Sequence, residues 1–301
     1  MHSESLQIDV LLPYYGDVDY MKAAASSVLN QTHSAWRLIV LDDGYPSDEP
    51  ARWFAEISAR DDRVVYERNA ENLGANGNYR KALAMATARV VVVMGADDIM
   101  LPNYLAHVAE AFTAHPDADV FECGVQVVDE HDRAIRPLSD AIKGRVAPRP
   151  ESRTVYEGEE LAVGLMRGNW TYFPSLAWKS ETVQRIGFRE GLDVVQDLAL
   201  LCDVVTDGGR MVFDPRLGFL YRRHSASDSS VRALDGRRFD EERRFYAEQA
   251  GRFEALGWRR AAREARGHLT SRLHALALIP KAVRTKETRG GLGPLLRHVV
   301  R

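Results

Sequence analysis

Residues Val90 to Val93 are four consecutive valines, and the chain runs on through Met94, Gly95 and Ala96 into two adjacent carboxylates, Asp97 and Asp98. β-Branched side chains are stiff at χ1 and favour extended backbone. A strand apolar at every position must be covered on both faces, as in the middle of a parallel sheet. Successive side chains of a strand point to opposite faces, so the pleat is expected to turn Asp97 and Asp98 in different directions. Burying an unpaired carboxylate costs roughly several kcal/mol. Each acid therefore needs something to hold.

The same kind of strand recurs along the first half. "IDVLLP" (8–13), "RLIVL" (37–41), "RVVYE" (63–67) and the valine run alternate with the helical patterns "YMKAAASSVLNQ", "PARWFAEISAR", "NYRKALAMATA" and "NYLAHVAEAFTAH", and "ADVFE" and "GVQVV" follow. This rhythm, with short connections, predicts an α/β fold with a doubly wound, mostly parallel sheet. Residues 129–153 are polar, contain proline and lack a clear period, so they are read as a long flap-like loop. Beyond them, helices are expected near 158–167 and 197–206 and strands near 211–213 and 217–221. From about 237 a helical pattern interrupted near Gly257 reads as a two-helix tail.

In open α/β sheets ligands sit beyond the carboxyl ends of the strands. Three such ends carry unusual residues: "PYYG" (13–16), "DDG" (42–44) and "GADD" (95–98). Two acidic pairs at neighbouring strand ends repel one another and call for a cation, hydrogen-bond donors or both. With oxygen ligands the expected ion is Mg2+ or Mn2+, whose usual companion is a diphosphate. There is no G-x-x-x-x-G-K-[ST], and "NLGANG" (72–77) lacks G-x-G-x-x-G, so neither a P-loop nor a dinucleotide fold is expected.

In order and spacing, P-x-Y, D-D-G, N-x-G-x-x-x-N and the element Ala96-Asp97-Asp98, followed by Gln196-Asp197 and "YRRHSASDSS", resemble the inverting family 2 glycosyltransferases with the GT-A fold. The likeness runs from about Ile8 to Ser230. It implies that a sugar moves from a nucleotide-diphosphate donor, UDP first and dTDP or GDP as alternatives, to a hydroxyl of a glycan, lipid-linked or small-molecule acceptor. The resemblance also implies residue roles. Asp43 would accept a hydrogen bond from the nucleobase, with Tyr15 and the Pro13 loop beside the base. Asp97 would sit near the ribose and Asp98 on the metal, and His224 would face the diphosphate and metal from the far side. Asp197 would be the general base, at the start of a predicted helix whose dipole favours its anionic form. The chain departs from the family at Gln196, where an acid is usual, at Gly16, where Asn is common, and at Tyr45, where a small hydroxyl is common.

Read without the resemblance, Asp197 is a helix cap, and Asp193, four residues earlier, competes for the role of base. Asn72 and Gly74 make a turn and also lie where a loop approaches the nucleotide. Trp170, Tyr172 and Phe173 are core aromatics or a stacking surface for a ring. Two other functions stay open: a sugar-nucleotide nucleotidyltransferase, although the glycine-rich N-terminal loop of that class is absent, and a non-catalytic nucleotide-sugar-binding protein.

The expected organisation is a nucleotide-sugar half (1–128), an acceptor half (129–230) and a basic helical extension (231–301). The extension carries 17 Lys/Arg against 8 Asp/Glu, a net of +9, whereas the preceding residues carry 23 against 35, a net of −12. The formal net charge of −3 argues against a generic nucleic-acid binder. The tail is read as a peripheral contact with anionic lipid, a dimer interface or a brace on the domain. Cys123 and Cys202 are too few for a disulfide framework. With no secretory pattern at the N-terminus and no apolar run near the roughly 20 residues that span a bilayer, a cytoplasmic protein is expected, free or at the inner face of the membrane.

Overall fold

The computed structural model describes residues 5–192, 194–223, 237–284 and 298. Four parallel strands form its first half: β1 (Ile8–Tyr14), β2 (Trp36–Asp42), β3 (Val64–Arg68) and β4 (Val90–Val93), ordered β3-β2-β1-β4. The connecting helices are α1 (Val18–Leu29), α2 (Glu49–Ser58) and α3 (Gly74–Ala84). Asp17 starts α1 by accepting the backbone N–H groups of Asp19 and Tyr20, two donors that the helix itself leaves unpaired.

The sheet continues through β8 (Ala177–Lys179), β6 (Val120–Val128) and β9 (Arg210–Arg222) to β5 (Ile99–Met100), with β7 (Thr154–Glu157) also on β9. Both of β8's pairings, to β4 and to β6, are antiparallel. The expected separate strands near 121 and 126, and near 212 and 219, are single long ones. β6 and β9 run parallel through a register shift at Gly124. A Cβ at Gly124 would lie 2.8 Å from the Pro215 carbonyl oxygen, so only glycine lets β9 bulge there.

The pleat divides the core as the sequence predicts. Ile8, Val10, Leu12, Val90 and Val92 face one side of the sheet, with α1, α2 and α4 (Tyr104–Ala114) over them. Leu11, Val91 and Val93 face the other, beneath α3, α6 (Gly158–Arg167) and α8 (Gln196–Thr206). Asp9 is the exception on this second side: buried, it accepts from Arg37 and from the backbone N–H groups of Thr87 and Ala88, and so fastens the entry of β4 to β1.

The segment 129–153 is not simply a loop. It contains α5 (Leu138–Val146), whose buried Asp140 is ion-paired to Arg223 at 2.7 Å. No helix was expected there, because the partners that fasten it lie far away in sequence. α7 (Ser180–Ile186) follows β8, and the described residues of the tail up to 284 form three helices rather than two: α9 (Arg237–Ala255), α10 (Arg259–Gly267) and α11 (Leu269–Arg284).

The first two tail helices pack on the domain. Arg252 reaches Asp203 and Thr206 of α8, Arg189 bridges Asp203 to Glu248, and Arg260 pairs with Glu159 of α6. Among the described residues, no helix is long and apolar enough to cross a membrane.

Candidate active site

Because β1, β2 and β4 are parallel, their carboxyl ends share one edge of the sheet, and the three motifs collect there. β1 outruns β4, whose pairing stops at Leu11. Pro13 sits in that overhang, where its missing N–H forfeits no bond to β4. Tyr14 is buried with its hydroxyl on the Gly16 carbonyl, whereas Tyr15 is exposed, its ring edge-on to Tyr45 at 5.9 Å.

The two aspartates at the end of β2 have different environments. Asp42 is fully buried and satisfied locally, accepting from Tyr45 N–H at 2.7 Å and the Tyr66 hydroxyl at 2.6 Å. Asp43, also buried, reaches across to the next crossover and accepts from Asn69 Nδ2 at 2.8 Å and Leu73 N–H at 2.9 Å. Asn69 in turn donates to Asn78 and accepts from Lys81. Asn72 Oδ1 accepts the Gly74 N–H, and Gly74 holds φ +71 at the start of α3. Asn72 and Gly74 thus form the turn read from their sequence, placed against Asp43.

The pleat does not reach Asp97 and Asp98. β4 ends at Val93 and the chain turns over 95–98, with the Asp98 N–H on the Gly95 carbonyl at 3.3 Å. A turn lets neighbouring side chains converge, and both carboxylates face Gly95. A Cβ at that position would collide with Asp98 Oδ2 and lie 3.0 Å from Asp97 Oδ1. Asp98 is buried; Oδ1 accepts the Arg222 N–H at 2.8 Å, and Oδ2 has no hydrogen-bond partner. Burial, together with the charge of Asp97, pushes the Asp98 carboxyl well above the usual carboxylate range, although the Arg222 N–H pulls the other way.

An orphaned buried carboxylate oxygen beside a second carboxylate fits a divalent cation. Among the described residues no three His, Cys, Asp or Glu side chains converge on one point. A cation held by Asp98 and Asp97 would need most of its ligands from elsewhere, and Mg2+ and Mn2+ commonly take them from a diphosphate and water. His224 and the competing base Asp193 lie outside the described residues.

Asp197 occupies the first turn of α8. Its Oδ1 accepts the Leu198 N–H at 2.7 Å and its Oδ2 accepts Asn169 Nδ2 at 3.1 Å. The cap of α8, Val195, offers no side-chain acceptor. Glu241 of α9 replaces it, taking the N–H groups of Val194 and Val195 at 2.7 and 2.9 Å. The tail thereby holds the end of the helix that carries Asp197. Neighbouring Gln196 has its Oε1 buried without a partner.

Several residues not singled out from the sequence join these two ends. Arg222, fully buried, donates to the Asp97 carbonyl at 2.7 Å and lies over the Tyr20 ring. Lys143 of α5 donates to the Thr171 carbonyl at 2.8 Å and lies over Tyr172, whose hydroxyl reaches Asp140. Glu122 on β6 accepts the Tyr172 N–H at 3.1 Å, its other oxygen is unpartnered, and burial pushes it up to about 8. Burial also lowers Lys143, against the pull of Asp197. One signal was available: an acid in the apolar run "ADVFE". Tyr172 faces Tyr221 at 5.0 Å, so the aromatics of "NWTYFPS" divide, with Trp170 in the core and Tyr172 half-buried against Lys143 and Asp140.

The model of the family described as glycosyl transferase family 2 matches residues 9–179. The chain belongs to glycosyl transferase family 2. Among its relatives, an uncharacterized glycosyltransferase of Methanocaldococcus jannaschii is 24% identical over 191 residues, 63% of this chain and 61% of that protein. The UDP-Glc:alpha-D-GlcNAc-diphosphoundecaprenol beta-1,3-glucosyltransferase WfgD of Escherichia coli is 33% identical over 98 residues, 33% of this chain and 38% of its own. The chain spans 53% to 62% of the length of the first curated relatives it matches.

Solved structures share the fold. S. aureus TarS 1–349 in complex with UDP-GlcNAc superposes with a TM-score of 0.72 at 14% identity, covering 98% of this chain and 82% of that one. The mannosyltransferase PcManGT from Pyrobaculum calidifontis, in complex with GDP-Man and Mn2+, gives 0.57 at 15% identity, covering 98% and 86%. The family 2 chain thus has the α/β GT-A fold, as its motifs led one to expect.

Proposed function

We propose that this family 2 enzyme is a metal-dependent inverting transferase that moves a sugar from a UDP-sugar to an acceptor hydroxyl. The observation that carries the reading is Asp98, whose Oδ2 is buried, unpartnered and set beside Asp97 at the carboxyl edge of the sheet. Asp98 and Asp97 would hold Mg2+ or Mn2+, which neutralises negative charge on the departing nucleoside diphosphate. Asp43 and the exposed Tyr15 receive the nucleobase, with Pro13, Asn72 and Gly74 shaping the walls. UDP-GlcNAc on TarS supports UDP as the nucleotide, and GDP-Man with Mn2+ on PcManGT supports a divalent ion and keeps GDP as the alternative.

Asp197 is the base. Asn169 holds Oδ2 and the Leu198 N–H holds Oδ1; a carboxylate fixed in this way supports the role of accepting the hydroxyl proton as the acceptor oxygen attacks. A single base opposite the leaving group gives inversion at the anomeric carbon. Residues 1–128 serve the donor and 129–230 the acceptor, and α9 of the 231–301 extension braces α8. The acceptor named for WfgD is a diphosphoundecaprenol-linked sugar, which supports a lipid-linked acceptor here and work on the cytoplasmic face of a membrane.

The test is thermal stability against a panel of nucleoside diphosphates and nucleotide sugars, with and without Mn2+. At about 100 times Kd a ligand adds roughly 2.7 kcal/mol. A shift by UDP compounds that requires Mn2+ and disappears in Asp98→Asn is expected; a nucleotide shift indifferent to both would overturn the metal assignment. Release of pyrophosphate from a nucleoside triphosphate would favour a nucleotidyltransferase instead.

A further inference from the structure

The three tail helices differ in what they cover. α9 and α10 turn their apolar residues inward, burying Phe245, Phe253, Ala261, Ala262 and Ala265 against α6 and α8. α11 does the opposite with three of its leucines: Leu269, Leu273 and Leu276 are 66%, 57% and 50% exposed. At about 100° per residue these three fall within an arc of roughly 60° on one helix face. Isolated exposed leucines need no explanation, but an aligned stripe does.

The sequence of α11 itself carries charge of one sign. α11, "LTSRLHALALIPKAVR", holds Arg272, Lys281 and Arg284 and no acid, and it belongs to the extension whose net charge is +9 against −12 for the rest. An apolar stripe in a basic helix matches a surface that is apolar below and anionic above, which is an acidic bilayer. A second copy of this tail would bring the same positive charge against it.

The helix also begins beside the acceptor end of the cleft. Thr270, next to Leu269, donates to the Arg167 carbonyl at 2.7 Å and packs on Gly168, whose Cβ would meet the Thr270 side chain at 3.1 Å. The next residue, Asn169, holds Asp197. We propose that the Leu269–Leu273–Leu276 face of α11 seats this protein on an anionic lipid surface, with the base end of the cleft turned toward the membrane. The lipid contact stands independently of the transferase reading; the orientation of the cleft rests on it.

Co-sedimentation of the full chain with vesicles tests the proposal, using phosphatidylcholine with and without roughly 30% phosphatidylglycerol. Binding is expected only to the acidic vesicles, falling steeply as NaCl rises to about 0.5 M. The triple variant Leu269→Gln, Leu273→Gln, Leu276→Gln should bind at least about tenfold more weakly, with an unchanged circular dichroism melt. Leu217→Gln, another exposed leucine (50%) on β9, should bind as the parent does. Absence of binding to acidic vesicles at low salt, or equal binding by the triple variant, overturns the proposal. So does a dimer of the parent that the triple variant breaks without any change in lipid binding, which would assign the face to a second copy. The assay reads no turnover, so its failure leaves the transferase reading standing.

Discussion

Arg222 grips both members of the acidic pair through different atoms. Its backbone N–H meets Asp98 Oδ1 at 2.8 Å while its guanidinium meets the Asp97 carbonyl at 2.7 Å. The guanidinium also pairs with Asp132 at 2.6 Å, so the end of β9 holds the 95–98 turn in place while Asp98 Oδ2 keeps no hydrogen-bond partner.

Asp98→Asn keeps the acceptor for the Arg222 N–H and removes the buried charge. Its melting temperature without metal should match or exceed the parent's, because an orphaned buried carboxylate is costly. Metal-dependent turnover should fall by roughly a thousandfold or more, since charge stabilisation at the leaving group is lost. Full activity in this variant would remove Asp98 from the donor site.

Asp197→Asn should lower kcat by about a thousandfold or more, with donor affinity measured by calorimetry nearly unchanged. Asn169→Ala removes one hydrogen bond from the proposed base and should cost about tenfold in kcat. The two changes share one interaction, so the double variant should be no worse than Asp197→Asn alone. Additive losses would show that Asn169 acts elsewhere.

Glu241→Ala leaves the Val194 and Val195 N–H groups without their acceptor. Loss of a helix cap costs about 1 kcal/mol, and the frayed first turn of α8 carries Asp197. A lower melting temperature and a lower kcat at unchanged donor affinity are expected. A fall in donor affinity alone would contradict the brace.

Burial lifts Glu122 from its ordinary 4.5 to about 8, while the Tyr172 N–H and Lys143 pull it back. Between those two values the folded protein holds a proton that the unfolded chain has released, so Glu122 costs stability progressively as pH rises through that window. Glu122→Gln keeps an acceptor for Tyr172 and cannot ionise. Its stabilisation should be absent near ~pH 4.5 and grow to on the order of a few kcal/mol by ~pH 8. Denaturant melts across pH decide; a pH-independent difference would refute the ionisation account.

Local pattern was enough for the parallel half of the sheet. Val90–Val93, Ile8–Pro13 and Leu38–Leu41 are apolar at successive positions, and such a strand has few places to lie other than a covered sheet. The same patterning put Pro13, Tyr15, Asp43, Asp97 and Asp98 at one edge before any contact was known, and their order along the chain gave the family.

What tertiary structure decided are the pairings that span the chain. Sequence suggested a pleat separating Asp97 from Asp98; the 95–98 turn, held by Arg222 from β9, makes them converge instead. Residues 129–153 read as a loop because nothing local favours a helix there, yet Asp140 and Lys143 are fixed by Arg223 and Thr171. The tail's basic helices gave no hint that Glu241 would cap α8. Periodicity reports which face of an element is apolar, but a buried polar group takes whichever distant partner the packed core brings within hydrogen-bond reach. That long-range choice, made only when the sheet closes, separates an acidic strand end from a site.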